Sequence, residues 1–369
     1  MSLNYKINKR IYNVRIGSNL HNSLINDLKK ENNDKKILFI YDININYNLI
    51  KPILKILKKQ KNNKIFVLKI IGGKHNKNFN LLFKIINILS KKKFTKKSCI
   101  LSVGGGVAGD VSAMAASLYM RGMLYFHIPT TSTSILDSCI GGKTAINFQN
   151  RINLLGTYYH PNYVYICKEI VNKIPKKEYL TGFAEAIKCG ILGNKNILDF
   201  LNKNKNELIN KKFSYFKTLC SLVLKVKIKF FINDVFEKRK RLFLNFGHNF
   251  GHALESCLEM NKNLNKFNHG EAVSVGMLFE MEYANTKKFL IDKIKKILLN
   301  YNLPLYYRLN NKSGILKIRN EIYKNIFLDK KKISKNPRYI KILNFKKHQI
   351  SEFKNYNKLK NLIKKFIKS

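Results

Sequence analysis

Two histidines stand four residues apart in Asn245-Phe246-Gly247-His248-Asn249-Phe250-Gly251-His252, and a third, His269, follows in Asn268-His269-Gly270-Glu271. Three of the eight histidines therefore fall within 22 positions, 248 to 269. On a helix, residues four apart project from one face, and two imidazoles so placed have a metal-ligand spacing. Glu185, in the apolar run Gly182-Phe183-Ala184-Glu185-Ala186-Ile187-Lys188, is a carboxylate whose burial without a partner would be costly. A zinc site of two histidines and a glutamate with one open position would supply that partner. Isolated core histidines and one ion-paired glutamate would satisfy the same spacing.

A second group is Gly104-Gly105-Gly106-Val107-Ala108-Gly109-Asp110. Gly104, Gly106 and Gly109 satisfy G-x-G-x-x-G, in which missing side chains let the backbone approach a pyrophosphate at a helix N-terminus. The acidic residue expected about 20 positions later for a ribose is absent, because Pro129-Thr130-Thr131 occupies that place. A glycine turn needed only for packing remains an open reading of this segment.

The elements that must hold these groups follow from the apolar pattern. Ile37 to Tyr41, Ile65 to Ile70, Cys99 to Val103, Tyr125 to Pro129 and Tyr163 to Cys167 read as buried strands. Between or after them lie helical stretches at Leu49 to Lys59, Asn80 to Leu89 and Val111 to Tyr119. Strand, helix, strand at this spacing predicts a parallel sheet with crossover helices. After Pro175 the pattern turns helical, over Glu178 to Leu192, Ile197 to Ile209, Phe213 to Phe231, Leu244 to Met260 and Gly270 to Phe289. The expected organisation is an α/β domain over 1–173 followed by an all-α domain over 174–369. The lysine-rich tail from Lys346 carries no signal.

Composition narrows the partners. The chain has 369 residues, 45% of them hydrophobic, with 24 Phe and 19 Tyr, so it is a folding sequence and not a disordered one. Lys and Arg number 70 against 22 Asp and Glu, a net charge of +48. From Cys99 to Cys167, however, the only charged residues are Asp110, Arg121, Asp137, Lys143 and Arg151. The excess sits in Lys/Asn-rich runs interleaved with Ile, such as Lys58 to Lys64 and Lys91 to Lys97, which reads as a solvated surface and not as a nucleic-acid interface. A field of this sign would draw in a phosphorylated substrate. No apolar run approaches the ~18 residues that span a bilayer, and Met1 to Arg10 lacks the apolar core of a signal peptide, so a cytoplasmic protein without a membrane partner is expected. The six cysteines show no CxxC pair and read as reduced, small, mostly buried residues.

Arg121-Gly122, Pro129-Thr130-Thr131, Asp137-Ser138-Cys139-Ile140-Gly141-Gly142-Lys143-Thr144-Ala145-Ile146-Asn147, Gly182 to Lys188, Asn245 to Glu255 and His269-Gly270-Glu271-Ala272-Val273 follow the glycine segment in an order that resembles the 3-dehydroquinate synthase family. The resemblance runs from about Ile37 to Lys331. It implies a Rossmann-like NAD-binding domain followed by a helical metal- and substrate-binding domain. The implied reaction converts 3-deoxy-D-arabino-heptulosonate 7-phosphate to 3-dehydroquinate and phosphate in the shikimate route to aromatic compounds. NAD and one divalent metal, zinc or else cobalt, are the implied cofactors.

Residue by residue, the resemblance gives the metal to Glu185, His248 and His269, so that His252 becomes a substrate-site histidine and not the partner that its spacing from His248 suggested. Catalytic positions match Lys143, Lys188, Glu237, Arg241, Asn245 and His252. Substrate positions match Arg121, Asp137, Asn153, Lys227 and one of Lys330 and Lys331. Cofactor positions match Asp42, Lys77, Gly105, Gly106, Gly109, Asp110, Thr130 and Thr131, with Lys143 also on this side. Arg121 matches an arginine that reaches a neighbouring subunit's site, which implies a homodimer. Two other readings are another sugar-phosphate cyclase and a metal-dependent polyol dehydrogenase. A basic nucleic-acid-binding protein is the reading from a different class.

Three departures fall on the cofactor side. Arg151-Ile152-Asn153 stands where the family has Gly-Lys-Asn, Gly72-Gly73-Lys74 where it has Asp-Gly-Glu, and Lys173 where it has Thr. Loss of a lysine and of acidic groups near the cofactor predicts a working enzyme with weakened NAD binding. Calorimetric titration with NAD should give a dissociation constant about tenfold or more above that of a relative carrying the family residues, since each lost charge-assisted bond is worth roughly 1.5–3 kcal/mol. An equal constant would refute the expectation.

Overall fold

Ile37 to Tyr41 is apolar without interruption because both faces of its strand are covered. Ile37, Phe39 and Tyr41 join Leu24, Leu28, Ile53 and Leu57 in one core cluster. Leu38 and Ile40 join Leu82, Ile85, Leu89, Val111 and Ala115 in the other. This is the signature of a parallel strand sandwiched between helices. The computed structural model describes residues 1–60, 63–149, 151–261, 263–309, 314–328 and 336–369. The chain forms two units, Met1–Pro175 with Phe231–Phe236, and Lys176–Phe230 with Glu237–Ser369.

The first unit is the expected Rossmann-like layer. Its elements are β1 (Ser2–Ile7), β2 (Arg10–Gly17), α1 (His21–Glu31), β3 (Lys36–Asp42), α2 (Tyr47–Lys59), β4 (Lys64–Ile70), α3 (Phe79–Lys91), β5 (Cys99–Gly104), α4 (Gly106–Leu118), β6 (Leu124–Pro129), β7 (Lys143–Phe148), β8 (Arg151–Tyr158), β9 (Tyr163–Cys167) and α5 (Lys168–Lys173). Seven strands form one sheet in the order β1-β2-β9-β6-β5-β3-β4, parallel throughout except for the β1–β2 hairpin. The chain leaves β3 for β4 on one side and returns to lay β5 on the other. This reversal is a topological switch point, where open α/β sheets bind ligands beyond the carboxyl ends of the strands.

Several elements go beyond the sequence reading. β1 reads SLNYKI and buries alternate residues, Leu3, Tyr5 and Ile7, in a half-buried hairpin strand. β7 and β8 form a separate antiparallel hairpin across the segment that carries Lys143 and Asn153. Asn46 and Asn78 cap α2 and α3 by accepting from Asn48 N at 2.9 Å and Leu81 N at 3.1 Å.

The second unit is mainly helical, with α6 (Lys176–Thr181), α7 (Phe183–Leu192), α8 (Asn196–Lys203), α9 (Lys205–Ile209), α10 (Phe213–Phe231), α11 (His248–Met260), α12 (His269–Tyr283), α13 (Lys288–Asn300), α14 (Ile315–Phe327) and α15 (Tyr356–Phe366). Short β10 (Tyr307–Arg308) pairs with β13 (Ile367–Lys368), and β11 (Arg338–Asn344) forms a hairpin with β12 (Lys347–Glu352). The tail from Lys346 is thus ordered structure: Leu359, Ile363 and Phe366 bury one stripe of α15. The continuous helix expected over Leu244 to Met260 begins only at His248. Gly247 interrupts it in a left-handed conformation, φ +77°, after a 3-10 turn at Lys240–Asn245. The other long stretches divide at Gly182, Asn204 and the turn between Tyr283 and Lys288.

His127, on β6, is 2% exposed, and burial pushes its imidazole down from the ordinary 6.5 to about 4. The folded-state value lies below the unfolded one, so its contribution to stability is complete above about pH 6.5 and is lost as pH falls toward 4. Urea unfolding at pH 7 and pH 5 should show the wild type losing about 2 kcal/mol more than His127→Gln over that interval. Equal losses would refute it.

Candidate functional site

In the second unit the sequence-predicted metal residues converge. Glu185 lies on α7 with its side chain wholly buried, and Lys188, one turn on and 1% exposed, forms an ion pair with Oε2. The other oxygen, Oε1, is 3.7 Å from His248 Nε2 and 3.5 Å from His269 Nε2. Oε2 is thus taken up by Lys188, and Oε1 faces the two imidazoles at distances longer than a normal hydrogen bond.

Close backbone packing brings the two histidines together. A Cβ on Gly276 of α12 would lie 1.9 Å from the carbonyl oxygen of Gly247, and one on Gly247 would lie 2.8 Å from the backbone nitrogen of Met277. Glycine at these points lets α11 and α12 approach at backbone distance. His269 opens α12 just inside a capping box, in which Asn268 accepts from Glu271 N at 3.4 Å and Glu271 Oε2 accepts from Asn268 N at 2.9 Å. His248 opens α11, and its ring centroid lies 5.2 Å from that of His269.

The remaining ring nitrogens are engaged from behind. His248 Nδ1 is 3.0 Å from the carbonyl of Phe246, and His269 Nδ1 is 3.0 Å from Glu255 Oε2. With Nδ1 engaged in each case, both Nε2 atoms face Glu185, and His269, held charged by its two carboxylates, would release its Nε2 proton on taking up a metal. In a tetrahedral zinc site with bonds of about 2.0–2.2 Å, ligand atoms lie roughly 3.3–3.6 Å apart. The observed 3.5 and 3.7 Å fit a divalent metal at this point, and the buried carboxylate supplies the chemical need for one. Burial, then the charges of Lys188, His252 and His269, hold the His248 imidazolium well below its ordinary range. Burial would lower His269 as well, but the carboxylates of Glu255 and Glu185 raise it to about 10.

Glu255 is the participant that the sequence reading missed. It is 3% exposed on an apolar helix, three positions after His252 and seven after His248, and that shared face was the available signal. His252 completes the cluster, with its ring centroid 5.2 Å from that of His248 and 5.8 Å from that of His269. Its Nε2 or Nδ1 also groups with Glu255 and His269. Arg241, 2% exposed, and Asn245 lie on the 3-10 turn, and Asn245 donates to Glu237 Oε1 at 2.5 Å. Lys227 is buried on α10. Lys330 and Lys331 lie outside the described residues.

In the first unit the cofactor candidates gather at the switch point. Asp42 ends β3 and its Oδ1 accepts from Gly72 N and Asn44 N, each at 3.0 Å. A Cβ on Gly104 would come within 3.6 Å of Asp42 Cβ, so the end of β3 and the glycine turn after β5 are adjacent. The four glycines there divide by cause. Cβ atoms on Gly104, Gly105 and Gly109 would meet Ala108 at 2.4 Å, Thr131 at 2.7 Å and His127 at 3.2 Å, whereas Gly106 faces only Ser138 Oγ at 3.9 Å. Packing therefore accounts for three of them, and the open room at Gly106 suits a ligand phosphate against the uncapped N-terminus of α4. Asp42 is thus an acidic residue beside the glycine turn, although it lies upstream of it in the chain.

Lys77 ties this region to the β7–β8 hairpin. It forms an ion pair with Asp110 and donates to Asn153 Oδ1 at 2.5 Å, so a substrate candidate and two cofactor candidates share one cluster. Thr130 N donates to the carbonyl of Gly104 at 3.1 Å. Asp137 lies in a single π-helical turn, Ser134–Ser138, a form frequent at functional sites. Lys143 is exposed at the start of β7, and Arg121 is exposed with φ +59° directly after Met120 with φ +49°.

The family model described as 3-dehydroquinate synthase N-terminal matches residues 67–181, and that described as 3-dehydroquinate synthase C-terminal matches residues 182–332. A 3-dehydroquinate synthase of Prochlorococcus marinus is 39% identical over 227 residues, 60% of this chain and 61% of that protein, so the match spans less than two thirds of that relative's length. One from Thermodesulfovibrio yellowstonii is 33% identical over 272 residues, 73% of each chain. Among solved structures, a 2-deoxy-scyllo-inosose synthase complexed with carbaglucose-6-phosphate, NAD+ and Co2+ superposes with a TM-score of 0.88 at 21% identity, covering 99% of this chain and 100% of that one.

Removing a carboxylate that anchors a ligating imidazole costs roughly 10–100-fold in metal affinity. Glu255→Gln should therefore weaken zinc binding by that factor in a competition titration, with the far-ultraviolet circular dichroism unchanged. Unaltered zinc affinity would refute the assignment of Glu255 as the support of His269.

Proposed function

Because the chain belongs to the 3-dehydroquinate synthase family, we propose that it converts 3-deoxy-D-arabino-heptulosonate 7-phosphate to 3-dehydroquinate and inorganic phosphate. The observation that carries this reading is the convergence of Glu185 Oε1 with His248 Nε2 and His269 Nε2 in the second unit of a chain whose first unit presents a glycine turn and Asp42 at its switch point. When bound, NAD supplies reversible hydride transfer at the substrate's C5, and a divalent metal, zinc or cobalt, polarises the C5 oxygen. Glu185, His248 and His269 would hold the metal. Asp42, Gly106, Lys77, Asp110, Thr130 and Thr131 would hold the dinucleotide.

The chain's own groups have distinct tasks in this reading. Lys143, Lys188, Arg241 and Arg121 are the cations suited to gripping the phosphate dianion through charge-assisted bonds as the C7–O bond breaks. The proton removed from C6 in that elimination is taken by a base within the site, for which the leaving phosphate itself serves. His252 moves the proton at the reacting hydroxyl. The Glu237–Asn245 pair orients that hydroxyl, while Asp137, Asn153 and Lys227 position the rest of the substrate. Ring opening and aldol closure then require a fixed geometry more than further chemical groups.

We further propose a homodimer that works in the cytoplasm, with Arg121 offered to the neighbouring subunit. Its support is the exposed turn in which two consecutive residues other than glycine, Met120 and Arg121, adopt positive φ, beside Leu118, 46% exposed. Among the described residues no helix is long and apolar enough to cross a membrane.

Purified protein with the heptulosonate phosphate, NAD and zinc should release phosphate and dehydroquinate in equal amounts, without net accumulation of NADH, and chelation should abolish both. Accumulation of NADH without phosphate would favour a polyol dehydrogenase. Turnover only of other heptulose phosphates would favour another cyclase. No turnover at saturating NAD and zinc would overturn the reading.

A further inference from the structure

Beneath α4 the sheet carries a line of polar groups that neither the metal site nor the phosphate-gripping residues use. Ser102 on β5 and His127 on β6 are register partners, and Tyr125 lies two residues before His127 on the same face of β6. All three are at most 2% exposed. Ser102 Oγ is 2.8 Å from His127 Nδ1 and 2.8 Å from Tyr125 Oη, and Tyr125 Oη donates to the carbonyl of Gly109 at 3.0 Å.

The last of these bonds sets the direction of the others. A carbonyl only accepts, so the single phenolic hydrogen goes to Gly109. The hydroxyl of Ser102 must then donate to Tyr125 Oη, and with its one hydrogen spent it can only accept from His127 Nδ1. The result is a directed chain, His127 Nδ1–H to Ser102 Oγ–H to Tyr125 Oη–H to Gly109 carbonyl. A neutral imidazole suffices for it, which agrees with a buried ring.

The chain ends in the first turn of α4. Gly109 N donates to the carbonyl of Gly105 at 3.0 Å, and the next residue, Asp110, pairs with Lys77. The His127 ring also packs close to Gly109, 3.2 Å from where a Cβ there would lie. Alongside the apolar packing of Val111 and Ala115, this chain is thus a polar tie between the sheet and the turn of α4 that carries the N–H groups beyond Gly106.

We propose that Ser102, Tyr125 and His127 are positioning residues for dinucleotide binding, acting through the carbonyl of Gly109 on the N-terminus of α4 without touching the cofactor. The inference rests on the reading of the first unit as the NAD-binding unit. Hydrogen bonds that act as one chain are non-additive when broken, and NAD affinity read against melting temperature separates a positioning role from mere core stability.

Calorimetric titration with NAD at 25 °C, alongside thermal unfolding, tests it. Tyr125→Phe should raise the dissociation constant about tenfold and Ser102→Ala about threefold, with Ser102→Ala/Tyr125→Phe no weaker than Tyr125→Phe alone. His127→Gln, which keeps a donor toward Ser102, should bind close to wild type, whereas His127→Leu should bind as poorly as Tyr125→Phe. Lowered melting temperatures with wild-type NAD affinity in Tyr125→Phe and Ser102→Ala would show a structural role only and overturn the proposal. Failure of the wild type itself to bind NAD would remove the cofactor reading of the first unit, and this inference with it.

Discussion

A carboxylate with no exposed atom has to be answered by positive charge, and the centre of the second unit is arranged to answer Glu185. Lys188 supplies one ammonium. The rest of the answer is two imidazole nitrogens that face one carboxylate oxygen, His269 as a charged ring without a metal and both rings as neutral ligands with one. The Nδ1 contacts to Phe246 and Glu255 fix that orientation. The glycine contacts between α11 and α12 and the capping box on α12 then follow as the means of bringing His248 and His269 within reach of one carboxylate oxygen.

The first unit obeys a different constraint, that of chain topology. Strand order reverses between β3 and β5, the kind of point at which open α/β sheets bind ligands beyond the carboxyl ends of the strands, and Asp42 and the glycine turn lie there. Packing against Ala108, Thr131 and His127 explains three of the four glycines. The fourth, Gly106, has open room beside it, where the proposed dinucleotide would place a phosphate. The buried polar chain beneath α4 belongs to the same constraint, because an N-terminus that binds an anion by backbone N–H groups depends on where the helix sits.

Much of this was legible beforehand, and the reasons are particular. Strands β3 and β9 are continuous apolar runs, and β5 and β6 are so but for one buried polar residue each, Ser102 and His127, because both faces are covered. The metal trio was suggested by a carboxylate in an apolar helix and by clustered histidines. Spacing alone, however, favours His248 with His252 on one helix, whereas in the structure Glu185 Oε1 meets one histidine from α11 and one from α12. Local periodicity reports which residues share a face and is silent on which helix comes to lie opposite. The β1–β2 and β11–β12 hairpins escaped for a related reason: a short alternating strand of mixed polarity has little signal until its partner is known.

The sequence by itself determined the two classes of architecture, the order of the motifs and the residue types of the site, since apolar periodicity, glycine and histidine placement are properties of the chain. Tertiary structure decided which of those residues meet. It set Asp42 beside a glycine turn about 60 positions later, placed Glu255 behind His269, linked Lys77 to both Asp110 and Asn153, and gave Gly106 a different reason from its neighbours. Distances between remote residues depend on how helices and strands pack, and packing is a property of the folded core, set by many weak contacts at once.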